Sequence, residues 1–591
     1  MMGFSLRRTI SISFILIWTT YISAQVSWWN PAQTNQQFIE GVAWPSESAS
    51  PYDRLPARAQ ADVREPVWNL SHHTAGLSIR FRSNASSIIV RYQVDGNLEM
   101  PHMPATGVSG LDLYAIDSDG NWNWCRGSRQ FKDTIVCRFS GMTANDRYHE
   151  QGREYRLYLP LYNHVTWLEI GVDPEDYFEP LPVRPELPIV VYGTSIAQGG
   201  VASRPGMGWT NILARKMDHP LINLAFSGNG RLEPEIIELL TEIKAKIYLI
   251  DCLPNLTDST TYPDDELTRR ILHAIHRLKE VHPETPILLV DHDGYTDGSL
   301  DHRRLHAYER VNRIQLQAYQ ALKAEGISGL YYLTKDQIGI DMDDMVDGTH
   351  PSDLGMKHYA EGYEKALRTI LHEPIGSVST TQPCTQRREP GNYDWEMRHR
   401  EILAMNAATP PKMVILANSI VHFWGGEPKA PIVREEASWS NNFTPMGLRN
   451  LAYGWDRIEN VLWRVYHGEL DGFAAGKVIV MIGTNNLHLN TDDEILTGLN
   501  LLLDAIRYRQ PEAEILLMGL LPRRDYEARI VDLNLQIARL AGDQDIRFGD
   551  VGSVFLQPDH KIDESLFSDG LHPNADGYKR FGSALLPLIK P

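Results

Sequence analysis

Two nine-residue stretches of this 591-residue chain repeat one combination of residue types. DGTHPSDLG at 347–355 and DGLHPNADG at 569–577 each place an aspartate three residues before a histidine and a proline directly after it. Each stretch lies downstream of a serine that closely follows an apolar run, Ser195 after LPIVVYG and Ser419 after KMVILA. The chain therefore carries the same set of polar side chains twice, in the same order.

These side chains are the types that acyl-transfer chemistry needs. A serine hydroxyl is a poor nucleophile at neutral pH unless an imidazole accepts its proton and a carboxylate orients that imidazole. The spacing within each stretch lets the carboxylate fold back onto Nδ1 of the histidine while Nε2 faces the serine, and the proline stiffens the loop. We therefore predict two catalytic triads: Ser195, His350 and Asp347 in the first half, and Ser419, His572 and Asp569 in the second.

A second requirement of this chemistry is a set of donors for the oxyanion that forms during attack on a carbonyl group. Candidates follow the later apolar runs of each half, in NLAFSGNG and DCLPN and again in NLAYGWD and GTNN. An ordinary turn role remains the alternative for each of them. The predicted oxyanion donors are Gly228, Asn255, Gly454 and Asn485.

The elements that must position these residues follow two patterns along the chain. Residues 25–183 contain short alternating runs separated by turn residues, which predicts an antiparallel, jelly-roll-like β-sandwich. Buried-strand runs then alternate with helical patterns over 187–374 and again over 393–591, on either side of a polar linker at 375–392. This alternation predicts two flavodoxin-like α/β domains, each with its serine at the carboxyl end of the first strand, where open α/β sheets bind ligands.

The first 24 residues are typical of a secretory signal peptide. Arg7 and Arg8 precede an apolar run that ends in small residues. That run is shorter than the roughly 20 residues of a membrane-spanning helix. We therefore expect cleavage near Ala24, a secreted or periplasmic protein and no stable membrane anchor.

Composition limits the classes of partner and cofactor. Asp plus Glu number 75 against 57 Lys plus Arg, a formal net charge of -18, which weighs against nucleic acid and anionic lipid as partners. No CxxC or HExxH spacing occurs, so we predict neither a metal site nor a cofactor. Cys125 and Cys137 could pair across two strands of one sheet. No feature of the sequence indicates the oligomeric state.

Both α/β units resemble the SGNH (GDSL-type) esterases. The resemblance rests on the order of a strand-end serine, a glycine, an asparagine and Asp-x-x-His, without GxSxG. The first unit, together with GLDLY at 110–114, resembles exported bacterial proteins of this family that remove acyl groups from plant-wall carbohydrate. The second unit, with NLAYGWDRIENVLWRV, VIVMIGTNN and MGLLPRR, resembles the platelet-activating-factor acetylhydrolase branch. The resemblance implies that Ser195 and Ser419 are nucleophiles that also supply a backbone oxyanion donor.

The chain departs from the family pattern at several positions. Thr194 and Asn418 stand where the family usually has an aspartate before the serine. The glycine two positions before the oxyanion asparagine is kept as Gly483 but is Leu253 in the first unit. The geometry of these turns must therefore be supplied by other contacts.

Three aromatic residues of the second unit are predicted substrate contacts. Phe423 and Trp424 follow Ser419 by a few positions, and flat rings stack on sugar faces. Gly454 lies one position earlier than the usual family glycine, which leaves Trp455 in that slot. Its backbone N–H could serve as the donor while its ring narrows the pocket.

These observations predict an exported, bifunctional carbohydrate esterase that needs no cofactor. The resemblance implies an acetylated plant polysaccharide such as xylan as the substrate, with feruloyl esters as a second candidate. The rival hypotheses are a lipid esterase, a sialate or peptidoglycan O-acetylesterase, and a carbohydrate-binding protein in which one or both α/β domains are inert.

Overall fold

The computed structural model of the chain describes residues 26–34, 36–143, 152–388 and 391–590. The predicted signal peptide at residues 1–24 lies outside the described residues. Across the described ranges, no helix combines the length and the apolar character needed to cross a bilayer.

The N-terminal part of the chain forms two antiparallel sheets. One sheet has the order β1-β10-β4-β8-β7, and the other has the order β11-β3-β9-β5-β6 with β2 added beside β3. The two short helices are α1 (Glu65–Ser71) and α2 (Ala105–Val108). The strands are β1 (Ser27–Trp29), β2 (Ile39–Glu40), β3 (Ser78–Ser83), β4 (Ser87–Val94), β5 (Asp112–Ile116), β6 (Trp122–Cys125), β7 (Gly127–Gln130), β8 (Ile135–Ser140), β9 (Arg153–Tyr158), β10 (Val165–Val172) and β11 (Phe178–Pro180).

The apolar faces of these two sheets share one core. Ile79 and Phe81 of one sheet belong to the same buried cluster as Val90 and Phe139 of the other. The period-2 alternation of the sequence produces this arrangement, because successive side chains of a strand point to opposite faces of the sheet.

The four cysteines are free thiols. Cys125 lies on β6 and Cys137 on β8, which belong to different sheets. The pairing across two strands of one sheet that the sequence left open is therefore not formed. The sequence pattern identifies strands but not the sheet to which each strand belongs.

The first α/β unit is a parallel sheet of order β13-β12-β14-β15-β16. This is the 2-1-3-4-5 order of flavodoxin-like folds. Side chains alternate between two cores, with Val190 and Tyr192 in one and Ile189 and Val191 in the other. Its elements are β12 (Ile189–Gly193), α3 (Ser195–Gln198), α4 (Trp209–Met217), β13 (Leu221–Ala225), α5 (Pro234–Thr241), β14 (Ile247–Asp251), α6 (Asp264–Val281), β15 (Ile287–Val290), α7 (His302–Ala324), β16 (Leu330–Leu333), α8 (Lys335–Ile338) and α9 (Asp353–Ile370).

The second α/β unit repeats this design, with strand order β18-β17-β19-β20-β21. Val414 and Leu416 belong to one buried cluster, and Ile415 and Ala417 to the other. Its elements are α10 (Trp395–Ala408), β17 (Met413–Ala417), α11 (Ser419–His422), α12 (Glu436–Asn442), β18 (Leu448–Ala452), α13 (Ile458–Tyr466), β19 (Lys477–Met481), α14 (Asp492–Arg509), β20 (Glu514–Met518), α15 (Glu527–Asp543), β21 (Arg547–Gly549) and α16 (Ala575–Ile589).

The strand registers make the two α/β units comparable residue by residue. Gly193 pairs with Ala225 and Asp251, and Ala417 pairs with Ala452 and Met481. The carboxyl ends of three strands therefore coincide, and the loops that follow them meet at one edge of each sheet. This edge is where both predicted sites lie.

Candidate active site

The first predicted triad is assembled at the carboxyl edge of the first sheet. Oγ of Ser195 lies 2.9 Å from Nε2 of His350, and Nδ1 of His350 lies 2.8 Å from Oδ2 of Asp347. The other carboxylate oxygen of Asp347 accepts the backbone N–H of His350 at 2.8 Å. The aspartate therefore holds both the ring and the backbone of the histidine.

The second predicted triad has the same geometry. Oγ of Ser419 lies 2.8 Å from Nε2 of His572, and Nδ1 of His572 lies 2.6 Å from Oδ2 of Asp569. Oδ1 of Asp569 accepts the backbone N–H of His572 at 2.7 Å. Each serine, histidine and aspartate predicted from the sequence is thus brought into one hydrogen-bonded chain within its own unit.

Short local motifs explain why the two α/β units position their triad residues in the same way. Each serine is the first residue of a four-residue helix that directly follows the first strand, so its side chain stands at the sheet edge. Each Asp-x-x-His turn leads into the last helix of its unit, which is capped by Ser352 in one case and by Asn574 in the other. Polar N-caps of this kind fix where a helix begins and therefore where the preceding turn lies.

Burial and charge set the protonation state of the second site. Burial lowers the pKa of His572 below its ordinary value, Asp569 opposes this effect, and Arg434 and Arg523 add to it. Although burial acts to raise the pKa of Asp569, hydrogen bonds from His572 hold it below its ordinary value. The imidazole is therefore neutral, and able to accept a proton, at pH values where an ordinary histidine is charged.

The oxyanion side of the first site contains two predicted donors. Gly228 has a φ of +68°, and its N–H donates to no acceptor among the described residues. Oδ1 of Asn255 accepts the N–H of Gly230 at 3.1 Å, which fixes the amide and leaves the Nδ2 hydrogens as its donors. The N–H of Ser195 is also without an acceptor within the described chain, as expected for the first turn of a helix.

The second site uses a different backbone donor from the one predicted. The N–H of Gly454 donates to Nδ1 of His422 at 3.0 Å, so the prediction that Gly454 supplies an oxyanion donor is wrong. The strand register instead aligns Trp455 with Gly228, and Trp455 also has positive φ, +59°. Its N–H donates to no acceptor in the described part of the chain.

The loop that carries Trp455 is held from several sides. Nδ2 of Asn485 donates to the carbonyl of Asp456 at 3.0 Å, which leaves one amide hydrogen for an oxyanion. Gln386 donates to the carbonyl of Gly454 at 2.9 Å. Asp456 is itself buried and paired with the fully buried Arg464 at 2.9 Å. A tryptophan in the left-handed region is strained, and these contacts offset that strain.

His422 takes the place that Gln198 has in the first unit. Oε1 of Gln198 accepts the N–H of Ser227 at 2.9 Å, as Nδ1 of His422 accepts that of Gly454. Burial lowers the pKa of His422 well below its ordinary value, and Arg398 and Arg464 add to this effect. The ring is therefore neutral and can accept the hydrogen bond.

This equivalence gives a testable prediction for His422. With Ser195→Ala as background, His422→Gln should keep kcat for 4-nitrophenyl acetate within about threefold, because a glutamine performs the same task in the first unit. His422→Leu should lower kcat by about ten- to a hundredfold, since it releases the loop that carries an oxyanion donor. Equal rates for the leucine variant and its parent would show that the loop needs no support from residue 422.

The departures from the family pattern before each serine have different consequences. Oδ1 of Asn418 accepts the N–H of Ile420 at 3.0 Å and so caps the short helix. Thr194 makes no such bond, and its buried hydroxyl has no partner in the described structure. Asn418 thus retains the capping acceptor that Thr194 lacks.

The replacement of glycine by Leu253 changes the loop but not where the asparagine lies. Gly483 has a φ of +126°, a conformation that L residues rarely adopt. Leu253 instead begins a short 3-10 turn, Leu253–Asn255, and its side chain is fully buried. Two loop conformations therefore bring Asn255 and Asn485 to corresponding positions.

Two of the three predicted aromatic substrate contacts are wrong. Trp424 is fully buried, donates to Oγ of Ser438 at 2.7 Å and packs against Phe581. Phe423 is only 3% exposed, with its ring 5.9 Å from the ring of His572. Both belong to the wall behind the site, because the helix begun by Ser419 turns them inward. Trp455 is partly exposed, and its contact with substrate stays a prediction.

Residues from outside the α/β units also reach both sites, and the sequence analysis did not identify them. Tyr162 of the N-terminal domain donates from its hydroxyl to the carbonyl of Ser195 at 3.0 Å. At the second site, Arg388 approaches the carbonyl of Trp455 at 3.5 Å and pairs with Asp119 in the turn between β5 and β6. These contacts join residues far apart in sequence, so no local signal could have identified them.

One group of side chains away from both triads could hold a metal ion. Within the described ranges, Asp53, His72 and His164 place ligand atoms within 4.8 Å of one another. Asp53 is bonded to His72 at 2.7 Å, and His164 to Asp95 at 2.8 Å. The triads require no such group, because their chemistry is complete with protein side chains alone.

Comparison with known proteins agrees with this geometry. Residues 186–368 match a GDSL-like lipase/acylhydrolase family, and residues 418–580 match a second family of the same description. Residues 26–178 match the family described as the N-terminus of SGNH-hydrolase-type esterases.

Individual relatives cover parts of the chain. Platelet-activating factor acetylhydrolase IB subunit alpha1 of Homo sapiens is 28% identical over 214 residues, which is 35% of this chain and 88% of that protein. A structure described as a GDSL-like lipase from Bacteroides ovatus covers 59% of this chain and 98% of its own, with 29% identity and a TM-score of 0.53. A family two carbohydrate esterase from Clostridium thermocellum covers 50% and 92%, with 12% identity and a TM-score of 0.33, a likeness that carries no weight for the substrate.

Proposed function

Because this chain is an SGNH hydrolase with two GDSL-like acylhydrolase domains in tandem, we propose that it is an exported, bifunctional carbohydrate esterase. Each domain removes O-acetyl groups from a plant polysaccharide such as xylan at its own site. The single observation that carries the proposal is the presence of two complete Ser-His-Asp chains, one in each domain.

The same sequence of steps operates at each site. Nε2 of the histidine takes the serine proton as Oγ attacks the ester carbonyl, and the aspartate stabilises the imidazolium that forms. The oxyanion is held by backbone N–H groups and an asparagine amide: Ser195, Gly228 and Asn255 in the first site, and Ser419, Trp455 and Asn485 in the second. The histidine then protonates the leaving alcohol, and water, activated by the same base, releases acetate and restores the serine.

The openness of the sites supports a polymeric, polar substrate. The side chains of Asp347 and Asp569 are 40% and 47% exposed, so each crevice is shallow enough for a group displayed on a chain. The N-terminal domain, proposed as a jelly-roll-like sandwich, places Tyr162 and His102 beside the first site. A net charge of -18 disfavours an anionic membrane surface as the place of action.

Acetate release from acetylated xylan tests the proposed substrate and shows how much of the hydrolysis each site carries out. Ser195→Ala and Ser419→Ala should each keep part of the wild-type rate, because either variant leaves one intact triad. If the sites differ in ester position, the residual acetyl pattern seen by NMR should differ between the two variants. Release of acetate from 4-nitrophenyl acetate but none from acetylated xylan or feruloylated arabinoxylan would refute the polysaccharide assignment.

A lipid ester hydrolase is the second candidate, favoured by the likeness to platelet-activating factor acetylhydrolase. The same variants can be assayed with a 2-acetyl glycerophospholipid presented as monomers and as micelles. A higher kcat/KM for that lipid than for acetylated xylan, lost in Ser419→Ala alone, would assign the second domain to lipid.

A further inference from the structure

Two arginines contact the loops of the second site, one on the triad side and one on the oxyanion side. Arg434 donates to the hydroxyl of Ser568 and approaches the carbonyl of Pro573 at 3.5 Å, on the triad side. Arg523 donates to the carbonyl of Thr484 at 3.3 Å, on the oxyanion side next to Asn485. The positive charges of both arginines also lower the pKa of His572, in keeping with their places on the two sides of the site.

Neither guanidinium has a carboxylate partner in the part of the chain that the structure describes. No carboxylate oxygen of the described residues lies within salt-bridge distance of Arg434 or Arg523, although the chain has 75 Asp and Glu residues. By contrast, Arg524, the next residue along, pairs with Glu564 at 2.7 Å, and Arg388 pairs with Asp119. Both arginines are only partly exposed, and a planar guanidinium without a protein anion is suited to bind an anionic ligand.

The first site lacks a counterpart of Arg523 within the described residues. Leu289 and Leu517 occupy equivalent positions in the two sheets. Tyr295 follows Leu289 at the same separation in sequence as Arg523 follows Leu517, so Tyr295 and Arg523 correspond. Tyr295 carries no charge, and its ring is covered by Arg304, which pairs with Asp297 at 2.7 Å. An uncharged ring therefore occupies the position in the first unit that Arg523 has in the second.

We propose that Arg434 and Arg523 form a subsite for the carboxylate of a sugar acid, so that the second domain acts on esters of a uronate-bearing glycan. This inference rests on the proposed function and narrows its substrate class. Bidentate recognition of a carboxylate by an arginine fork supplies both affinity and orientation. A sugar carboxylate is favoured over the headgroup of a membrane lipid. An anionic membrane surface would be repelled by a protein of net charge -18, whereas one carboxylate on a sugar brings no such surface with it.

The test compares an anionic ester with a neutral one at the second site alone. In the full-length Ser195→Ala protein, kcat/KM is measured for 4-acetoxybenzoate and for 4-acetoxybenzamide. Arg434→Gln and Arg523→Gln should each lower the ratio of kcat/KM for 4-acetoxybenzoate to kcat/KM for 4-acetoxybenzamide by about tenfold or more. This is the usual loss for one charge-assisted hydrogen bond. Arg547→Gln is the matched control, because Arg547 begins β21 at the opposite edge of the sheet and should leave the ratio unchanged.

Acetylated oligogalacturonate and acetylated xylo-oligosaccharide extend the comparison to sugars. We expect the same tenfold loss of preference for the acidic sugar in each arginine variant. The acid limb of the pH–rate profile should also move to higher pH in Arg434→Gln, because removal of a nearby positive charge raises the pKa of His572. A preference for 2-acetyl glycerophosphate over both sugars would overturn the sugar-acid assignment in favour of a phosphate ligand.

Binding measurements separate this inference from the proposed function. Isothermal titration of the full-length double variant, Ser195→Ala with Ser419→Ala, with 4-acetoxybenzoate should show binding that Arg523→Gln weakens about tenfold and Arg547→Gln does not. Such binding without turnover in Ser195→Ala would refute the second site as an esterase while keeping the subsite. Turnover with equal kcat/KM ratios in parent and arginine variants would overturn the subsite and leave the esterase intact.

Discussion

The double variant Ser195→Ala with Ser419→Ala is expected to lose ester hydrolysis by about 10⁴-fold or more in kcat/KM, with either aryl acetate or acetylated xylan as substrate. Each serine hydroxyl is placed against the histidine of its own triad, at 2.9 and 2.8 Å. The residual kcat/KM of the double variant comes from the oxyanion donors and from substrate binding, because neither of these needs the serine hydroxyl.

The single variants provide the internal comparison for this result. Because each domain carries its own triad, their two rates should sum to about the wild-type rate if the sites act independently. Ser583→Ala, on the exposed face of α16, is the matched control and should retain full activity. Substantial turnover in the double variant, with an unchanged circular dichroism spectrum, would show that neither serine is the nucleophile.

The second large effect is expected from Asp347→Asn and Asp569→Asn, each measured with the other site silenced. Each aspartate accepts Nδ1–H of its histidine, at 2.8 and 2.6 Å, and so keeps Nε2 free to take the serine proton. An asparagine amide can donate to Nδ1 and thereby stabilise the wrong tautomer. We expect kcat to fall by about 10³- to 10⁴-fold in each case.

The fold should survive these aspartate substitutions. Oδ1 of each aspartate accepts the backbone N–H of the histidine, at 2.8 and 2.7 Å, and the amide oxygen of asparagine can accept the same bond. The melting temperature should therefore change little, which separates a tautomer effect from a loss of structure. Near wild-type kcat in both variants would show that neither carboxylate orients its histidine.

The parts of the structure that could be predicted are those specified by short stretches of sequence. Buried-strand runs gave the parallel sheets, and the Asp-x-x-His turns gave the triads, because a strand, a turn and a helix cap are each encoded within about ten residues. Ser195 and Ser419 could be identified from this pattern, because each lies between a strand and the N-terminus of a helix.

The predictions that are wrong concern residues whose position depends on contacts with residues distant in sequence. Gly454 is the predicted oxyanion donor because the resemblance implies a glycine at this point of the motif order. Contacts from His422, Gln386 and Asn485 instead hold Trp455 in the position of that donor. Trp424 was expected in the crevice, yet its ring completes a core with side chains of α12 and α16. Sequence patterns report burial of an element but not which loop residue turns inward.

The N-terminal domain reaches the second site as well as the first. Asp119 in the turn after β5 pairs with both Arg388 and Arg457, which lie beside the loop that carries Trp455. Tyr162 contacts the backbone of the first nucleophile. The three parts of the chain therefore share contacts around their sites, so full-length variants are the appropriate material for each measurement.

The most direct test of the central claim is covalent labelling by a fluorophosphonate, followed by intact mass spectrometry and peptide mapping. This reagent forms a bond to a serine only when a neighbouring base activates the hydroxyl. We predict two labels on the wild-type chain, at Ser195 and Ser419, one on each single alanine variant and none on the double variant. A wild-type chain that takes up no label, or takes it up at other serines, would contradict the account.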